Sequence, residues 1–240
     1  MRRHIDAFRS ALALLTILPY GRYSFDENLS GLSTAYYSFI GLILASILLL
    51  VKAPLLALFE PMHTNVIIFI FLIVLYGGLH FDGLSDSVDG LFVPKERALE
   101  VMKDPHAGTM GILFSFLVLL LSLSAFIQIE SLIFVLPVLM ASRFFATFFL
   151  FRCDYISSNG IASKMKEEIN KMHIIVPLIF LVLFSIFIKL SLLLVLLLGF
   201  LMAISVAMFF KRRYGGINGD ILGSIILLSE LIMFHGLLLI

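Results

Sequence analysis

Long apolar segments alternate with polar ones along almost the whole chain. A stretch of about 20 apolar residues is long enough to cross a bilayer as an α-helix. Seven such segments lie at 34–53, 63–81, 109–129, 131–151, 173–188, 190–210 and 220–240. The two spans that flank Lys189 could also be divided at a different residue. The pattern predicts an all-α integral membrane protein with about seven transmembrane helices, forming a single polytopic domain over residues 1–240.

The first residues, MRRHIDAFRSALALLTILPYG, combine a basic start with a short apolar run. A signal peptide is one interpretation, but there is no small-residue cleavage site and Pro19 ends the apolar run. An amphipathic helix that lies in the membrane interface fits the pattern better. We expect Arg2, Arg3 and Arg9 of this helix to face lipid headgroups.

Composition supports a membrane protein and narrows its chemistry. Hydrophobic residues make up 61% of the 240 residues, and charged residues only 14%. A net charge of +1 gives no reason to expect a nucleic-acid partner. Cys153 is the single cysteine, which excludes an intrachain disulfide and a cysteine metal cluster. The sequence leaves open whether the chain forms a homo-oligomer.

Lysine and arginine are distributed unevenly between the two sides of the predicted topology. Three long polar loops, at 82–108, 152–172 and 211–219, fall on the same side as the N-terminus. With that side taken as cytoplasmic, Lys52 and Lys189 are outside. The inside cations are Arg2, Arg3, Arg9, Arg22, Lys95, Arg97, Lys103, Arg152, Lys164, Lys166, Lys171, Lys211, Arg212 and Arg213. Because cationic loops favour the cytoplasm, we predict a multi-pass protein of the cytoplasmic (inner) membrane, with a cytoplasmic N-terminus and active site.

The most distinctive segment is GGLHFDGLSDSVDG at 77–90. Asp82, Asp86 and Asp89 are spaced i, i+4, i+7, which on a helix places three carboxylates on one stripe. Like charges so close together need a counterion, and hard divalent cations prefer oxygen ligands. The glycines of the segment leave room for a ligand or another backbone. An acidic stripe at a membrane surface favours phosphoryl transfer over transport.

The same polar loop continues with a short helix and a glycine-rich turn. Pro94 suits the first turn of a helix over PKERALEVMKD. The turn His106-Ala107-Gly108-Thr109-Met110-Gly111 then leads into the next span, where backbone amides are suited to bind a phosphate. The two glycines are equally consistent with a simple helix start. His80 and His106 are candidate metal ligands or bases, and each is also consistent with an ordinary interfacial hydrogen-bonding residue.

The last polar loop, KRRYGGINGDILGS at 211–224, is a second candidate segment. Its glycines allow close approach, and Asp220 is a good N-cap for the final helix. Glu230 lies nearly three turns later on the same helix face, and carboxylates inside a membrane are usually functional. Arg143, on another span, is the structural alternative as a partner for Glu230. The run Lys211-Arg212-Arg213 is interpreted first as a topology determinant and second as a phosphate-binding site.

Together these motifs resemble the adenosylcobinamide-GDP ribazoletransferase, or cobalamin synthase, family, and the resemblance extends over the whole chain. The matching features are FRSALALLTILPY at 8–20, GGLHFDGLSDSVDG at 77–90, RALEVMKDPHAGTMG at 97–111, Arg143 and GGINGDILGS at 215–224. One segment departs from the family pattern. The family usually has Ser-Arg-Ile where this chain has Pro105-His106-Ala107, so an arginine that is a candidate phosphate ligand in the family is absent here.

The resemblance implies that adenosylcobinamide-GDP is joined to α-ribazole or its 5′-phosphate, which gives adenosylcobalamin or its phosphate and releases GMP. It also implies Mg²⁺ as cofactor, held by Asp82, Asp86 and Asp89, with Asp89 alternatively acting as the base. Asp104 is a further candidate catalytic residue, which would complete the metal shell or orient the substrate. The candidate substrate- and phosphate-binding residues are His80, Arg97, Lys103, Gly108, Thr109, Arg143, Gly215, Gly216, Asn218, Gly219, Asp220 and Glu230. The implied active site is thus built from segments 77–111 and 211–224.

Two other functions remain as alternatives. A CDP-alcohol phosphotransferase also joins an alcohol to a nucleotide-activated phosphate with spaced aspartates. The compact D-x-x-x-D-x-x-D-G arrangement and the separate GGINGD segment do not fit its motif. A cation transporter would also carry intramembrane acids, but transporters commonly place these near the midplane between repeated halves. This sequence shows no internal repeat, and its acids crowd the predicted cytoplasmic interface.

Overall fold

A computed structural model describes residues 2–19, 30–157 and 161–240 of the chain. The described residues are largely α-helical, which confirms the predicted all-α class. The helices are α1 Arg2–Leu15, α2 Ser30–Ser33, α3 Tyr37–Leu56, α4 Pro61–Leu75, α5 Leu79–Leu91, α6 Lys95–Val101, α7 Thr109–Phe126, α8 Val135–Arg152, α9 Ile161–Glu168, α10 Met172–Ile188, α11 Leu192–Tyr214 and α12 Gly219–Leu237. The short helix predicted after Pro94 is α6.

Several of these helices are suited to cross a membrane. Those that qualify alone are Gly31–Leu56, Thr109–Phe126, Leu132–Arg152, Leu192–Tyr214 and Gly219–Leu237. Two more spans qualify only as bent pairs of helices, Pro61–Leu75 with Leu79–Leu91 at 78° and Ala162–Glu168 with Met172–Ile188 at 94°. The described part of the chain therefore has five to seven candidate spans, in agreement with a multi-pass membrane protein.

One predicted boundary is wrong, and the error concerns the most distinctive segment. The span predicted at 63–81 is broken, because α4 ends at Leu75. Gly77 and Gly78 follow with φ of +66° and +84°, a left-handed backbone that residues with a Cβ rarely adopt. The chain bends there, and the acidic segment forms the packed helix α5 instead of the start of a loop. The sequence pattern missed this break because apolar residues continue up to Leu79.

Two helices, α8 and α12, lie at the centre of the bundle. In their membrane-length windows 83% and 72% of the residues are buried, against 28–33% for the other spans that qualify alone. The two helices contact each other, and α3, α5 and α11 pack around them. Most polar residues of α8 and α12 are therefore buried against protein, namely Ser142, Arg143, Thr147, Ser224, Ser229 and Glu230.

The predicted amphipathic N-terminal helix is present as α1. Its small and apolar residues Ala7, Ala11 and Leu15 are buried against the bundle, whereas Arg2 and Arg3 are exposed. The apolar face of α1 therefore packs at least partly on protein. Contact of its arginines with lipid headgroups stays a prediction, and Arg22 lies outside the described residues.

Candidate active site

Close packing of α5 on α12 brings the two candidate segments together. Gly83 faces the backbone of Asp220, and a Cβ at Gly83 would lie 2.9 Å from the Asp220 carbonyl oxygen. A Cβ at Gly223 would lie 3.2 Å from the carbonyl oxygen of His80. Ser224 Oγ adds a 3.4 Å hydrogen bond to the Gly83 carbonyl. Glycine is thus needed on both helices, because a side chain at either position would separate them.

This packing gathers three aspartates from segments more than 130 positions apart. The negative charges of Asp82, Asp220 and Asp89 act on the Asp86 carboxyl. The charge of Asp82 also acts on the Asp220 carboxyl. Within the described residues, Asp82, Asp86 and Asp220 form no ion pair with lysine or arginine. We call Asp82, Asp86 and Asp220 the carboxylate cluster. It carries negative charge that no described protein cation neutralises, so it is suited to a bound cation.

The three aspartates of the predicted stripe do not share one role. Asp89 accepts hydrogen bonds from the backbone N–H groups of Gly108 at 2.7 Å and Gly111 at 2.8 Å, one on each carboxylate oxygen. It thereby binds the N-terminus of α7, where a carboxylate is favoured by the helix dipole. Each glycine abuts the Asp89 carboxylate so closely that a Cβ would clash with it. The anion held at this helix start is therefore Asp89, and a phosphate role for Gly108 would have to compete with it.

The described residues contain no group of three or more His, Cys, Asp or Glu side chains arranged to hold a metal. The predicted ligand set Asp82, Asp86 and Asp89 is therefore not assembled as a three-carboxylate site. The physical reason is that Asp89 is engaged with α7. Magnesium commonly uses only one or two protein carboxylates, together with water and substrate phosphates, and the carboxylate cluster can supply those.

The remaining predicted residues of segment 97–111 lie on the surface around α6. Asp104 accepts hydrogen bonds from the backbone N–H of His106 at 2.9 Å and from its ring Nδ1 at 2.7 Å. The backbone bond, and then the ring, lower the pKa of the Asp104 carboxyl. Arg97 lies 3.9 Å from Glu100, and both are exposed. Lys103 and Thr109 are also exposed. No described contact joins these side chains to the carboxylate cluster, so their predicted roles stay predictions.

The start of α12 corrects the interpretation of Asp220. Its N-cap is Asn218, whose side-chain oxygen accepts the backbone N–H of Ile221 at 3.0 Å. The Asn218 side-chain amide donates to Asp220 Oδ2 at 2.8 Å. Asp220 therefore lies in the first turn and is not the cap that the sequence predicted. Asn218, predicted to bind substrate, holds both the helix start and the Asp220 carboxylate.

The glycines before α12 have structural roles in this conformation. Gly215 has φ +88° and ends α11, with its N–H bonded to the Lys211 carbonyl at 2.9 Å. Gly216 packs against the backbone of Asp154, where a Cβ would clash. Gly219 lies beside the Tyr155 hydroxyl. These contacts explain why the segment is rich in glycine, and the substrate-binding roles predicted for its glycines stay predictions.

Sequence reasoning missed Tyr155, which borders the carboxylate cluster. The residues after α8 pair with those before α12, through hydrogen bonds from Ile156 N to Ile217 O and from Ile217 N to Asp154 O, both 2.9 Å. Burial, and then the charge of Asp220, raise the pKa of Tyr155 to about 12, so its hydroxyl stays protonated at neutral pH. The available signal was that Tyr155 is the lone aromatic residue in loop 152–172.

Arg143 and Glu230, predicted to bind substrate, are instead buried in the bundle. Their side chains are 0% and 3% exposed and form an ion pair. Glu230 also accepts hydrogen bonds from Tyr76 at 2.9 Å and from Ser142 at 2.7 Å. The Arg143 guanidinium lies 4.6 Å from the centroid of the Tyr76 ring. The structure thus supports the structural alternative for this pair, which joins α4, α8 and α12.

The basic run at the end of α11 also has a structural contact. Arg213 Nη2 donates to the carbonyl oxygens of Leu91 and Val93, both at 3.3 Å, and Tyr214 donates to that of Gly90 at 2.9 Å. A cation near the last carbonyls of α5 is favoured by the helix dipole. Arg213 therefore fixes the end of the acidic helix.

A cavity of about 400 Å³ opens beside the carboxylate cluster. Asp82 and Asp220 contribute to its lining, and apolar side chains from α1, α3, α8 and α12 form most of the rest. His80 also lines it, is 1% exposed, and packs edge-on to Tyr76 at 5.5 Å between ring centroids. His80 Nε2 has no hydrogen-bond partner in the described structure. The predicted substrate residues Asp220 and His80 thus meet at one cavity.

Comparison with known proteins finds relatives that match almost the whole chain. Among curated relatives, a protein of Acinetobacter baumannii strain ACICU is 29% identical over 94% of both chains. One of Desulfitobacterium hafniense is 32% identical over 85% of both, and one of Clostridium perfringens is 28% identical over 100% of this chain and 98% of its own. All three are named adenosylcobinamide-GDP ribazoletransferase. No solved structure is significantly similar to the chain.

The family match covers almost the whole chain and includes every residue of the candidate site. The family described as cobalamin-5-phosphate synthase matches residues 7–238. That range contains α5, the start of α12, Tyr155 and the buried pair of Arg143 and Glu230. Neither the CDP-alcohol phosphotransferase nor the transporter alternative gains support from it. The chain belongs to the cobalamin-5-phosphate synthase family.

Proposed function

We propose that this protein joins adenosylcobinamide-GDP to α-ribazole or its 5′-phosphate, giving adenosylcobalamin or its phosphate and releasing GMP. The observation that carries the proposal is the carboxylate cluster Asp82, Asp86 and Asp220, which lies beside a cavity in a chain of this family. The relatives are named for the transfer of ribazole to adenosylcobinamide-GDP. The sequence motifs on α5 and α12 that carry the resemblance are the same ones that meet in space.

Magnesium fits this cluster as the cofactor. The donors are hard carboxylate oxygens, and no described lysine or arginine neutralises them. Asp82 and Asp86 would hold the ion, and Asp220 would complete its shell directly or through water. When bound, Mg²⁺ would offset the negative charge of the diphosphate in adenosylcobinamide-GDP. The same ion would also be favoured by the negative charge of the carboxylate cluster.

The chemistry requires little of the protein beyond charge, orientation and a proton acceptor. An oxygen–phosphorus bond forms between the ribose hydroxyl of the acceptor and the phosphorus attached to cobinamide. The bond from that phosphorus to GMP breaks, and GMP leaves with the electron pair. We assign proton acceptance to Asp220, because Asp82 and Asp86 would hold the ion and Asp89 is engaged at α7. Lys103 and Arg97 are exposed cations that would contact phosphate oxygens during transfer.

We infer that the protein lies in the cytoplasmic membrane with its N-terminus and the carboxylate cluster facing the cytoplasm. Support comes from the excess of lysine and arginine on that side of the predicted topology. A Cys153→Ser background allows single exposed cysteines to be labelled from either side of the membrane. Glu96→Cys should react from the cytoplasmic side and Leu239→Cys from the opposite side. The reverse pattern would overturn the orientation without affecting the proposed reaction.

The proposed reaction is tested with purified protein in detergent or lipid nanodiscs. We expect GMP to be released from adenosylcobinamide-GDP only when α-ribazole, or its phosphate, and Mg²⁺ are both present. A CDP-alcohol and a small alcohol acceptor should give no nucleotide release. Absence of acceptor-dependent GMP release from folded protein would contradict the proposal.

A further inference from the structure

A second cavity, of about 530 Å³, lies between α5, α7, α11 and α12. It shares no lining residue with the cavity beside the carboxylate cluster. Its wall is apolar except for three serines, and among the described residues no charged side chain lines it. Phe92, Phe114 and Phe209 of the wall are 56%, 41% and 49% exposed. This space, which we call the apolar cleft, therefore opens to the outside of the bundle.

The apolar cleft lies at the depth of lipid acyl chains. Phe114 is five residues after Thr109, where α7 begins, and Leu228 is nine residues after Gly219, where α12 begins. At a rise of 1.5 Å per residue these positions are about 7.5 Å and 13.5 Å along their helices. One leaflet contributes about 15 Å to the hydrocarbon core of a bilayer. The apolar cleft is therefore confined to one leaflet, on the side where α7 and α12 begin.

A shallow groove on α11 continues from the apolar cleft toward the end of that helix. Ser205 and Phe209 line both the cleft and the groove, and the groove leads to Arg212 and Arg213. An apolar space that leads to a cation at the membrane surface is complementary to an anionic phospholipid. Such a lipid has apolar chains and a negatively charged phosphate, and cations between or beside membrane helices bind its headgroup.

The three cations at the end of α11 differ in what they contact. Lys211 lies 3.5 Å from the carboxylate of Asp154. Arg213 donates hydrogen bonds to two backbone carbonyl oxygens at the end of α5. Arg212 is exposed and forms no ion pair or hydrogen bond within the part of the chain that the structure describes. Because a guanidinium can donate two parallel hydrogen bonds to a phosphate, Arg212 is suited to hold a lipid headgroup.

We propose that one anionic phospholipid binds at this site, with an acyl chain in the apolar cleft and its phosphate on Arg212. The site goes beyond the proposed reaction and does not depend on it. Leu84, Val88 and Leu91 of α5 line the apolar cleft. The bound chain therefore packs on the same helix that carries two aspartates of the carboxylate cluster, and it supports that helix from the membrane side.

Tryptophan fluorescence tests the site, because the chain contains no tryptophan. Phe114→Trp places a single reporter in the wall of the apolar cleft. The matched control is Phe116→Trp, on the same helix, 55% exposed and outside that wall. Each variant is reconstituted in vesicles with increasing fractions of phosphatidylglycerol or phosphatidylcholine whose chains carry bromine, which quenches the reporter.

We expect Phe114→Trp to be half-quenched at an about fivefold lower fraction of brominated phosphatidylglycerol than of brominated phosphatidylcholine, the effect of one cation near an anionic lipid. Phe116→Trp should be quenched equally by the two lipids. Equal quenching of Phe114→Trp by both would mean that only ordinary boundary lipid fills the cleft, and would overturn the proposal. The same preference in Phe116→Trp would indicate general attraction to the surface and would also overturn it.

Removal of the cation tests the headgroup contact in the Phe114→Trp background. Arg212→Gln should abolish the preference for phosphatidylglycerol, and Arg212→Lys should retain part of it. The control is Arg152→Gln, which removes an exposed arginine at the end of α8 and should leave the preference unchanged. A preference that persists in Arg212→Gln would mean that the phosphate is held elsewhere, and would overturn the assignment.

A larger side chain at Ser205 tests the chain site separately, including the case in which Arg212→Gln fails to insert. Ser205 is exposed, and its hydroxyl donates to the Leu201 carbonyl of its own helix at 2.8 Å. In the Phe114→Trp background, Ser205→Phe should reduce quenching by both brominated lipids. The control Ser124→Phe alters an exposed serine of α7 with the same kind of bond, at 2.8 Å to the Leu121 carbonyl. It should change nothing.

Two further outcomes contradict a lipid in the apolar cleft. Unchanged quenching of Phe114→Trp in the Ser205→Phe variant would show that no chain occupies the space beside Ser205. Absence of quenching of Phe114→Trp by either lipid, while Phe116→Trp is quenched, would show that a second copy of the protein covers the apolar cleft.

Discussion

Asn218 holds Asp220 in place, because its side-chain amide donates a 2.8 Å hydrogen bond to the Asp220 carboxylate while its oxygen caps α12. From the sequence alone, capping of α12 and a role in the site could not be assigned to different residues. Asn218 satisfies the helix start, and Asp220 is left to face the cavity and the other two carboxylates of the cluster. This division makes the function of Asp220 testable without disturbing the helix.

We expect Asp220→Asn to reduce turnover by at least about 100-fold with little change in melting temperature, since the cap is intact. Asn218→Ala should cost about 1 kcal/mol of stability through loss of the cap. Asn218→Ser retains a capping oxygen but lacks the amide donor to Asp220, so it should be stable and only partly active. Turnover and thermal unfolding are measured on the same preparations. Normal turnover in Asp220→Asn would remove α12 from the active site.

Asp82 and Asp86 are expected to hold magnesium. Asp82→Asn and Asp86→Asn should each abolish turnover at saturating Mg²⁺ while the proteins insert and purify normally, because a neutral amide cannot offset the charge of the ion. EDTA should inactivate the unmodified protein, and Mg²⁺ should restore it. The control is Glu100→Gln, which removes an exposed carboxylate on α6. Near-normal activity of either aspartate variant would refute the assignment.

Asp89 is expected to act on stability more than on chemistry. Asp89→Asn keeps one acceptor oxygen but places an N–H group against a backbone donor of α7. Loss of a hydrogen bond to a charged group costs about 1.5–3 kcal/mol, so we expect a lower melting temperature with measurable turnover per folded molecule. Complete loss of turnover at an unchanged melting temperature would instead favour the base or metal role that the sequence suggested.

For the buried pair of Arg143 and Glu230, we expect a single variant to lose more stability than the double variant that removes both charges. Glu230→Gln leaves the Arg143 charge buried without its partner and should cost about 3–5 kcal/mol. The double variant Arg143→Met, Glu230→Met should regain much of that stability, because neither charge remains. Thermal unfolding in detergent measures the recovery. A stable double variant that is inactive would return the pair to the active site.

The sequence was sufficient for the fold class, the approximate spans and the family, because apolar length and the motif at 77–90 depend on local residues. It placed the acidic stripe on a helix, but it did not predict that the left-handed backbone of Gly77 and Gly78 would end the preceding span at α4. The packing of α5 on α12 is likewise a contact between distant segments, which periodicity along one segment cannot reveal.

The sequence identified most residues of the candidate site. It did not predict the role that several of them have in the structure. Three aspartates at helical spacing suggested one shared function, yet Asp89 turns to α7 because backbone amides there need an acceptor. Glu230 suggested substrate binding, with Arg143 as its structural alternative, and the structure pairs the two. Tyr155 had only the weak signal of an aromatic residue in a polar loop. Each difference arises from a partner that is distant in sequence.

The measurement that tests the central claim most directly follows a single phosphorus atom. Adenosylcobinamide-GDP carrying ³²P in the phosphate attached to cobinamide is incubated with the protein, α-ribazole and Mg²⁺, and the label is located after separation of the products. The account predicts that the label stays in the joined corrinoid, that the released GMP is unlabelled, and that Asp82→Asn gives neither product. Label in GMP, or GMP release that does not depend on α-ribazole, would contradict it.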